Sequence, residues 1–256
     1  NPQLQVNKDV FFKNRIEDIP DSELELENGD VLMKVERFAY TANNITYAVA
    51  ADMVGYWKFF PPVGENTARW GVIPVWGFAV VVASKSEGIP VGDRLFGFFP
   101  PAKHVKMTPV GVSENRFLDG AAHRSALPRG YNIYQRVLND KNYNPAFDRE
   151  RMLLSPLLLT SFCLWNALKE ARWHGAKQII ILSASSKTSI GLGYALQADA
   201  DAPKVIGITS DRNLEKVKSL GIYDQCLSYD TITGIDADQP TVIVDMSGNT
   251  RVLAAL

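Results

Sequence analysis

A serine-rich turn holds the residues of this sequence that are best suited to bind an anion. Four of the seven residues 183–189 are serines, and a lysine and a threonine stand among them. Hydroxyl groups donate hydrogen bonds to phosphate oxygens, and the lysine adds a positive charge. The turn follows an apolar run (residues 178–182) and precedes a helical pattern, so backbone N–H groups and the positive end of a helix should meet there. We therefore predict that a phosphate group binds at Ser185, Ser186, Lys187 and Thr188.

Two other interpretations of this turn stay open. Dinucleotide folds use glycines here so that the backbone can approach the pyrophosphate, and this turn has none before Gly191. It can therefore be a serine-capped helix start with a solvated lysine. The segment Ser186-Lys187-Thr188 also resembles the end of a P-loop, but the P-loop pattern requires glycine where Ile181 and Ser186 stand. A P-loop nucleotide hydrolase is thus a less favoured alternative.

The end of the next apolar run (residues 204–209) bears on the identity of the cofactor. NAD-binding folds place an acidic residue there, which accepts hydrogen bonds from the adenosine ribose. This sequence has Thr209 at that position, followed by Ser210 and Arg212, and these groups suit a ribose 2′-phosphate. NADP(H) is therefore favoured over NAD(H), although Asp211 opposes this unless its side chain points away. The alternative is an ordinary helix cap with an exposed arginine.

Polar residues in the N-terminal half are candidates for a substrate site. Two asparagines, Asn43 and Asn44, lie in a segment rich in hydroxyl groups (residues 40–47). Amides are costly to bury without hydrogen bonds, so they either face a substrate or satisfy the backbone of their own loop. We name Tyr47 and Asn43 as candidate catalytic residues of such a site. His123 is a candidate proton donor, and the alternative is a structural histidine.

The elements that must position these residues differ between the two halves of the chain. Residues 1–150 contain short apolar or alternating runs separated by turn residues, which indicates a β-rich domain. In residues 151–256, apolar runs fit for buried strands alternate with helical patterns, which indicates a parallel sheet. A largely buried helix that begins at Ser155-Pro156 is predicted to precede this sheet. The predicted strands cover residues 178–182, 204–209, 225–229 and 241–245.

The predicted sheet is smaller than a complete dinucleotide-binding sheet. A doubly wound dinucleotide fold has six strands, two more than the pattern predicts here. We expect that a C-terminal part of the fold lies outside this sequence, and the alternative is an abbreviated fold. Tyr229, at the end of the third strand, is a candidate to line an adenosine pocket.

Composition excludes several classes of protein. Hydrophobic residues make up 46% and charged residues 21%, as in soluble globular proteins. The net charge of -1 provides no broad positive field for nucleic acid or anionic lipid. The two cysteines cannot form a four-cysteine zinc site, and we expect reduced thiols in a cytoplasmic protein. The uncharged stretches 70–84 and 152–168 contain glycine, proline or polar residues, and are interpreted as buried elements rather than membrane spans.

Several motifs, taken in order, resemble those of the medium-chain dehydrogenase/reductase superfamily. They are most similar to its zinc-free, quinone oxidoreductase-like branch and, within it, to a subgroup known as a domain of unknown function. The resemblance implies an α/β protein with a GroES-like β-rich substrate domain (residues 1–150) and a Rossmann-type doubly wound parallel sheet that binds a dinucleotide (residues 151–256). It covers nearly the whole chain, and the motifs are Thr41–Tyr47 with its Asn43, Gly92–Gly97, Thr160-Ser161-Phe162, Leu220-Gly221 with Tyr229, and Asp245–Gly248.

The resemblance also implies roles for individual residues. Thr160 matches a threonine that lies near the nicotinamide, and Ser247 belongs to a motif that follows the fourth strand. Trp76 stands where zinc-dependent members carry a glutamate, and metal ligands are missing at every position that can be matched, so no zinc is expected. The implied activity is zinc-independent hydride transfer from NADP(H) to a carbonyl, enone or quinone. The alternative is a non-catalytic dinucleotide-binding sensor or interaction module. The expected partner is a small-molecule substrate, with no nucleic acid and no membrane, and a homodimer is compatible with this interpretation.

Overall fold

The computed structural model describes residues 1–256, which form two compact units. The first unit runs from Asn1 to Leu153 and the second from Leu154 to Leu256. Antiparallel strands dominate the first unit, whereas parallel strands alternate with helices in the second. The predicted α/β fold class, with a β-rich part followed by a parallel sheet, is confirmed.

The first unit contains ten strands and two short helices, and a third helix begins at its C-terminal end. The strands are β1 (Pro2–Asn7), β2 (Asn14–Asp18), β3 (Val31–Ala39), β4 (Trp70–Gly71), β5 (Val75–Ser84), β6 (Arg94–Phe99), β7 (His104–Met107), β8 (Pro109–Val110), β9 (Arg116–Asp119) and β10 (Ile133–Arg136). The helices are α1 (Ala42–Val49), α2 (Ala51–Val54) and α3 (Asp148–Glu170).

Two antiparallel sheets organise the first unit. Three strands pair in the order β2-β1-β4, and seven pair in the order β7-β3-β5-β6-β10-β9-β8. Their apolar faces enclose an aromatic-rich core that includes Phe59, Phe98 and Tyr134, all without solvent exposure. This core brings α1 and the loop that follows α2 against the centre of the larger sheet, because Tyr47 and Tyr56 belong to the same cluster.

The second unit is a parallel sheet with helices in the connections. Its elements are β11 (Gln178–Leu182), α4 (Lys187–Gln197), β12 (Lys204–Thr209), α5 (Asp211–Ser219), β13 (Gln225–Ser228), β14 (Thr241–Val244) and α6 (Thr250–Ala255). The strands pair in the order β13-β12-β11-β14, and every pairing is parallel. Numbered within this unit, the order is 3-2-1-4, which is that of the first four strands of a Rossmann fold. All residues of β11 are buried, because the strand is central in the sheet and each of its faces packs into a hydrophobic cluster.

The start of α3 differs from the prediction. The helix begins at Asp148 rather than at Ser155-Pro156, and Pro156 lies inside it. Proline cannot donate a backbone hydrogen bond, so it is usually found in the first helical turn. Here the first turn is instead fixed by the buried carboxylate of Asp148, which accepts hydrogen bonds from Arg94 and Tyr143.

The burial predicted for α3 is also wrong for this structure, because much of the helix is exposed. Leu158, Leu159 and Phe162 are about half exposed. Its buried side packs on α4, where the Ser161 hydroxyl donates to the Thr188 carbonyl at 2.7 Å. The span Pro145–Glu170 is long and apolar enough to cross a membrane by length and composition alone, a test that core helices of soluble proteins also pass.

Candidate functional site

The turn between β11 and α4 contains a left-handed serine and a side-chain cap at the helix start. Ser183 adopts the left-handed conformation (φ 53°), which usually belongs to glycine in such turns. Ser186 is the N-cap of α4, and its hydroxyl oxygen accepts a hydrogen bond from the Ser189 amide. The serine hydroxyl therefore stabilises the helix start, and a backbone conformation typical of glycine is reached without glycine.

Three backbone amides of this turn have no hydrogen-bond partner in the protein. The amides of Ser183, Ala184, Ser186 and Ser189 each donate to a protein oxygen. Those of Ser185, Lys187 and Thr188 donate to none. The last two belong to the first turn of α4, whose N–H groups have no acceptor within the helix. These three free amides lie in the segment that the sequence predicted to bind phosphate. The side chain of Lys187, in the same segment, is exposed.

The Ser185 hydroxyl is held from the neighbouring strand. Its oxygen accepts a hydrogen bond from the Thr209 hydroxyl and another from the Asn213 amide nitrogen, each at 3.2 Å. Asn213 also donates to the Ser210 hydroxyl at 3.2 Å. Thr209 and Ser210, which the sequence assigned to the ribose end, therefore belong to the same hydrogen-bonded cluster as the turn. Asn213 was not among the predicted site residues, and the only signal for it in the sequence is its position in the first turn of α5.

The charged residues at the start of α5 are exposed. Arg212 and Asp211 both face solvent, and neither forms an ion pair within the chain. Ser210 is the N-cap residue, yet its side chain accepts no capping hydrogen bond from the helix backbone. The hydroxyl of Ser210 and the guanidinium of Arg212 are consequently not committed to capping the helix or to pairing with an acid.

The other two residues predicted on this sheet edge, Tyr229 and Ser247, have local partners. The Tyr229 hydroxyl accepts a hydrogen bond from the Ser183 amide at 3.2 Å, which fixes the beginning of the turn. Ser247 donates through both its amide and its hydroxyl to the Asp245 carboxylate, each at 2.7 Å. These two bonds lower the pKa of the exposed Asp245 carboxyl group from its ordinary value. Ser247 therefore closes a tight loop directly after β14.

The strand order gives these loops a shared location within the second unit. The crossover from β11 leads away to β12 on one side, while β14 lies on the other side. In open α/β sheets, ligands bind outside the carboxyl ends of the strands at the point where the strand order reverses. The turn at Ser183–Ser189 and the loop at Asp245–Gly248 follow the two strands that flank this point.

Thr160 lies on the exposed part of α3. Its hydroxyl donates to the Pro156 carbonyl one turn earlier in the same helix, at 3.2 Å. A threonine hydroxyl commonly bonds to the carbonyl one turn earlier in a helix, and this bond keeps the hydroxyl close to the helix. The proposed contact of Thr160 with a nicotinamide stays a prediction.

In the first unit, Tyr47 lies in a cluster of aromatic side chains with paired hydroxyl groups. Its hydroxyl oxygen accepts a hydrogen bond from the Trp76 indole nitrogen at 3.0 Å. The hydroxyls of Tyr56 and Tyr131 lie 2.8 Å apart in the same cluster. Burial raises the pKa of Tyr47 to about 12, an effect that the Trp76 hydrogen bond partly offsets. Because Trp76 supplies the hydrogen to this bond, the Tyr47 hydroxyl keeps its own proton available for donation.

The neighbouring asparagines have different roles. Asn44 is buried and completes a capping box at the start of α1, while its amide nitrogen donates to the Pro74 carbonyl at 3.0 Å. Asn44 thus satisfies backbone groups and does not face a substrate, which was the second possibility for the two asparagines. Asn43 is half-buried, and its side chain has no hydrogen-bond partner in the protein.

His123 is exposed, and its Nε2 atom lies 3.2 Å from the Phe59 carbonyl oxygen. The adjacent Arg124 is buried instead, and it pairs with the buried carboxylate of Asp119 at 3.1 Å. Arg124 also donates to the Tyr134 hydroxyl, which makes this pair part of the core. Within the structure, no group of three or more His, Cys, Asp or Glu side chains is arranged to hold a metal ion.

Two solved structures share the fold of this chain. The chain is similar to the quinone oxidoreductase from Coxiella burnetii, with 17% identity and a TM-score of 0.51, over 97% of this chain and 69% of that one. It is also similar to CurA from Vibrio vulnificus, solved in complex with NADPH, with 13% identity and a TM-score of 0.50, over 91% of this chain and 59% of that one. The chain therefore shares the fold of these two proteins, in agreement with the fold that the motifs predicted.

The sequence comparisons identify the family within that fold. The family model described as "Protein of unknown function (DUF2855)" matches residues 38–256. The chain belongs to this family, in agreement with the predicted subgroup. No curated protein matches the chain in sequence.

Proposed function

We propose that the protein is an NADPH-dependent reductase that transfers hydride to an activated carbonyl, enone or quinone without using zinc. The observation that carries this proposal is the set of three unpartnered amides, at Ser185, Lys187 and Thr188, at the carboxyl end of the first parallel strand. Such a turn binds a phosphate because its N–H groups and the helix dipole attract negative charge. The nicotinamide would supply the hydride.

The donor set of the turn fits a dinucleotide better than a nucleoside triphosphate. A P-loop wraps a triphosphate with a longer glycine-rich segment, whereas only Ser183–Ser186 separate β11 from α4 here. The 3-2-1-4 strand order is also that of dinucleotide-binding sheets. The NADPH present in the similar CurA structure supports the same ligand class for this chain. The pyrophosphate would bind to the amides and to the Ser185 hydroxyl, with Lys187 adding charge.

The residues at the carboxyl end of β12, the second parallel strand, favour NADPH over NADH as the ligand. Buried Thr209 is neutral where an acid would repel a 2′-phosphate, and it is already hydrogen-bonded to Ser185. Ser210 and Arg212 supply a hydroxyl and a guanidinium that no acid in the chain neutralises. Asp211 is exposed at the surface, so its carboxylate is well hydrated and opposes the 2′-phosphate only weakly.

In the first unit, we propose that Tyr47 stabilises the oxyanion that forms when hydride adds to the substrate. A tyrosine whose pKa is about 12 stays protonated at neutral pH and therefore donates a hydrogen bond. Trp76 donates to the Tyr47 oxygen, which restricts the direction of the remaining O–H. Asn43 offers an uncommitted amide nearby in sequence, and His123 is kept as a candidate proton donor.

The first test is ligand binding by thermal shift and calorimetry on the full chain. NADPH at a concentration about 100 times its Kd should stabilise the protein by about 2.7 kcal/mol through mass action. ATP with Mg²⁺ should give no shift, whereas a P-loop hydrolase would show the opposite preference. If no nucleotide binds, the proposal is wrong. If NADPH binds but no quinone, enone or carbonyl compound oxidises it, the protein is a dinucleotide-binding sensor instead.

Variants link the proposal to particular residues. Ser185→Asp places a carboxylate among the free amides and should abolish NADPH binding, while Ser219→Asp makes the same charge change at the far end of α5 and should not. Tyr47→Phe should lower kcat about 100-fold with little effect on the Kd of NADPH, because an oxyanion donor acts in the transition state. Unchanged kcat in Tyr47→Phe would remove Tyr47 from the mechanism. The homodimer stays a prediction, which sedimentation analysis can test.

A further inference from the structure

A buried tyrosine, Tyr223, holds the peptide group that carries the first free amide of the serine-rich turn. It lies between α5 and β13, and its hydroxyl donates a hydrogen bond to the Ala184 carbonyl oxygen at 2.9 Å. That carbonyl and the Ser185 N–H belong to the same peptide group. The Ala184 amide in turn donates to the Ile208 carbonyl at the end of β12, also at 2.9 Å. Both backbone groups of Ala184 are therefore bonded within the protein, whereas the N–H of the next residue is free.

This anchor determines where the free amide points. The peptide bond between Ala184 and Ser185 is trans and planar, so its carbonyl and its N–H point in opposite directions. Tyr223 holds the carbonyl on the buried side, since Ala184 has no solvent exposure. The Ser185 N–H is consequently directed to the other side, and Ser185 is partly exposed. A carbonyl that accepts a hydrogen bond also polarises its peptide group, which makes the N–H a stronger donor.

Two glycines provide the space in which the Tyr223 ring lies. A Cβ at Gly207 of β12 would lie 2.8 Å from ring atom Cγ, and a Cβ at Gly193 of α4 would lie 3.1 Å from ring atom Cε1. The ring thus fills a slot between β12 and α4, within the hydrophobic cluster that contains Ala184. Because the ring is held on both sides, its hydroxyl has little freedom to leave the carbonyl. Burial raises the pKa of Tyr223 above its ordinary value, so the hydroxyl stays protonated and remains a donor.

We propose that Tyr223 is a positioning residue that directs the Ser185 amide toward the pyrophosphate of the cofactor. This inference rests on the proposed function, because it concerns the same turn. Tyr223 need not touch the ligand, since it acts through the peptide group between Ala184 and Ser185. NADPH and NADH both contain the pyrophosphate, so the contribution of Tyr223 should be the same for the two coenzymes. This equality distinguishes its role from the selective role proposed for Arg212.

The experiment measures the Kd of NADPH and of NADH by calorimetry on the full chain, well below its melting temperature. Tyr223→Phe keeps the ring in its slot and removes only the hydroxyl. It should weaken both coenzymes about fivefold, with the ratio of their Kd values within about twofold of the wild type. Tyr194→Phe is the matched control, because it removes a hydroxyl from an exposed tyrosine of α4 and should leave both Kd values unchanged.

The nitrogen resonance of the Ser185 amide provides a readout that a merely structural role would not move. In ¹H–¹⁵N spectra of the ligand-free protein, Tyr223→Phe should shift this resonance upfield, because the Ala184 carbonyl loses a hydrogen bond and the peptide group becomes less polarised. The shift should be larger than those of the Lys187 and Thr188 amides, whose peptide groups Tyr223 does not contact. A shift at Ser185 no larger than these two overturns the inference.

The binding data separate this inference from the proposed function. If Tyr223→Phe leaves the Kd of both coenzymes within about twofold of the wild type, the inference is overturned even where the melting temperature falls, and the proposed function stands. Weakening of NADPH alone also overturns it, because the pyrophosphate is shared. If the wild type binds neither coenzyme, both proposals fail together.

A second variant decides the matter if Tyr223→Phe does not fold. Gly193→Ala leaves the hydroxyl in place, but its added methyl group presses on the ring atom next to the carbon that bears this hydroxyl. Weakening of both coenzymes by at least about threefold supports the inference, and unchanged Kd values overturn it.

Discussion

Replacing Arg212 tests the 2′-phosphate assignment most directly. The side chain is exposed and has no ionic partner in the chain, so Arg212→Ala leaves no buried charge behind and should not disturb folding. A shielded hydrogen bond to a charged group contributes about 1.5–3 kcal/mol, whereas an exposed ion pair contributes about 0.2–1 kcal/mol. Because Arg212 is exposed and Asp211 stands beside it, the lower range applies. We expect about 1 kcal/mol, or about fivefold weaker binding of NADPH.

Calorimetric titration with both coenzymes measures this effect. The Kd of NADH should change by less than about twofold, because NADH lacks the group that Arg212 is proposed to bind. Lys216→Ala removes the same charge from an exposed position on α5 about one turn further along, and it should affect the two coenzymes equally. If Arg212→Ala weakens NADPH and NADH to the same extent, the 2′-phosphate is not bound there.

Ionic strength provides an independent check on the same contact. The Debye length falls to about 3 Å at 1 M salt, so an exposed guanidinium–phosphate attraction is largely screened. The difference between the wild type and Arg212→Ala should therefore shrink as salt is added. A fivefold difference that persists at high salt would contradict the electrostatic explanation, even if NADPH were selectively weakened.

Two further predictions concern stability. Gly71→Ala should destabilise the first unit by about 1–3 kcal/mol in urea unfolding, because a Cβ at residue 71 would lie 2.3 Å from the Trp57 ring. The control is Gly130→Ala, which should leave the stability unchanged because a Cβ at residue 130 would have no atom within 4 Å. Burial raises the pKa of Tyr134 to about 12, so the unfolded chain loses this proton first as pH rises above the ordinary tyrosine value of 10. The free energy of unfolding should therefore fall between pH 10 and 12, by up to about 1.4 kcal/mol per pH unit. In Tyr134→Phe this decrease with pH should be smaller, when each protein is compared with its own stability at neutral pH.

The strands of the second unit could be predicted from the sequence because their signals are local. Residues 179–182 are an uninterrupted apolar run, and the structure buries all of them, together with Gln178, in β11. A strand covered on both faces favours apolar side chains at successive positions, and the shortness of the run and its three isoleucines favour a strand over a buried helix. The strand order itself is not a local property, but the superfamily resemblance supplied it, and the 3-2-1-4 order agrees.

The start of α3 could not be predicted from local signals. A capping hydroxyl followed by proline at Ser155-Pro156 is a typical helix start, yet the helix runs through both residues. Its true first turn depends on a buried contact between Asp148 and Arg94, which are far apart in the sequence. Tertiary contacts of this kind can override a local cap, because a buried charge-assisted hydrogen bond contributes more than a cap does.

The candidate site was predictable in its residue types but not in its hydrogen bonding. Hydroxyl-bearing residues and a lysine after a buried strand indicated a phosphate turn, which led to Ser185–Thr188. The role of Asn213 depends on how α5 places it against a turn 28 residues earlier in the chain. In the same way, the bond between Tyr47 and Trp76 joins α1 to β5, and no spacing within either segment indicates it.

The serine-rich turn satisfies the main physical requirement that glycine meets in other dinucleotide folds. Glycine matters there because it adopts positive φ and allows the backbone to approach the pyrophosphate. Ser183 adopts positive φ itself. The hydrogen bond from its amide to the Tyr229 hydroxyl offsets part of the energetic cost of this left-handed conformation. The remaining Cβ groups would keep a phosphate farther from the backbone, and the Ser185 hydroxyl would supply a donor across that distance. A turn of this kind should bind phosphate through side-chain and main-chain donors together, which makes its affinity depend on how Asn213 and Thr209 orient the Ser185 hydroxyl.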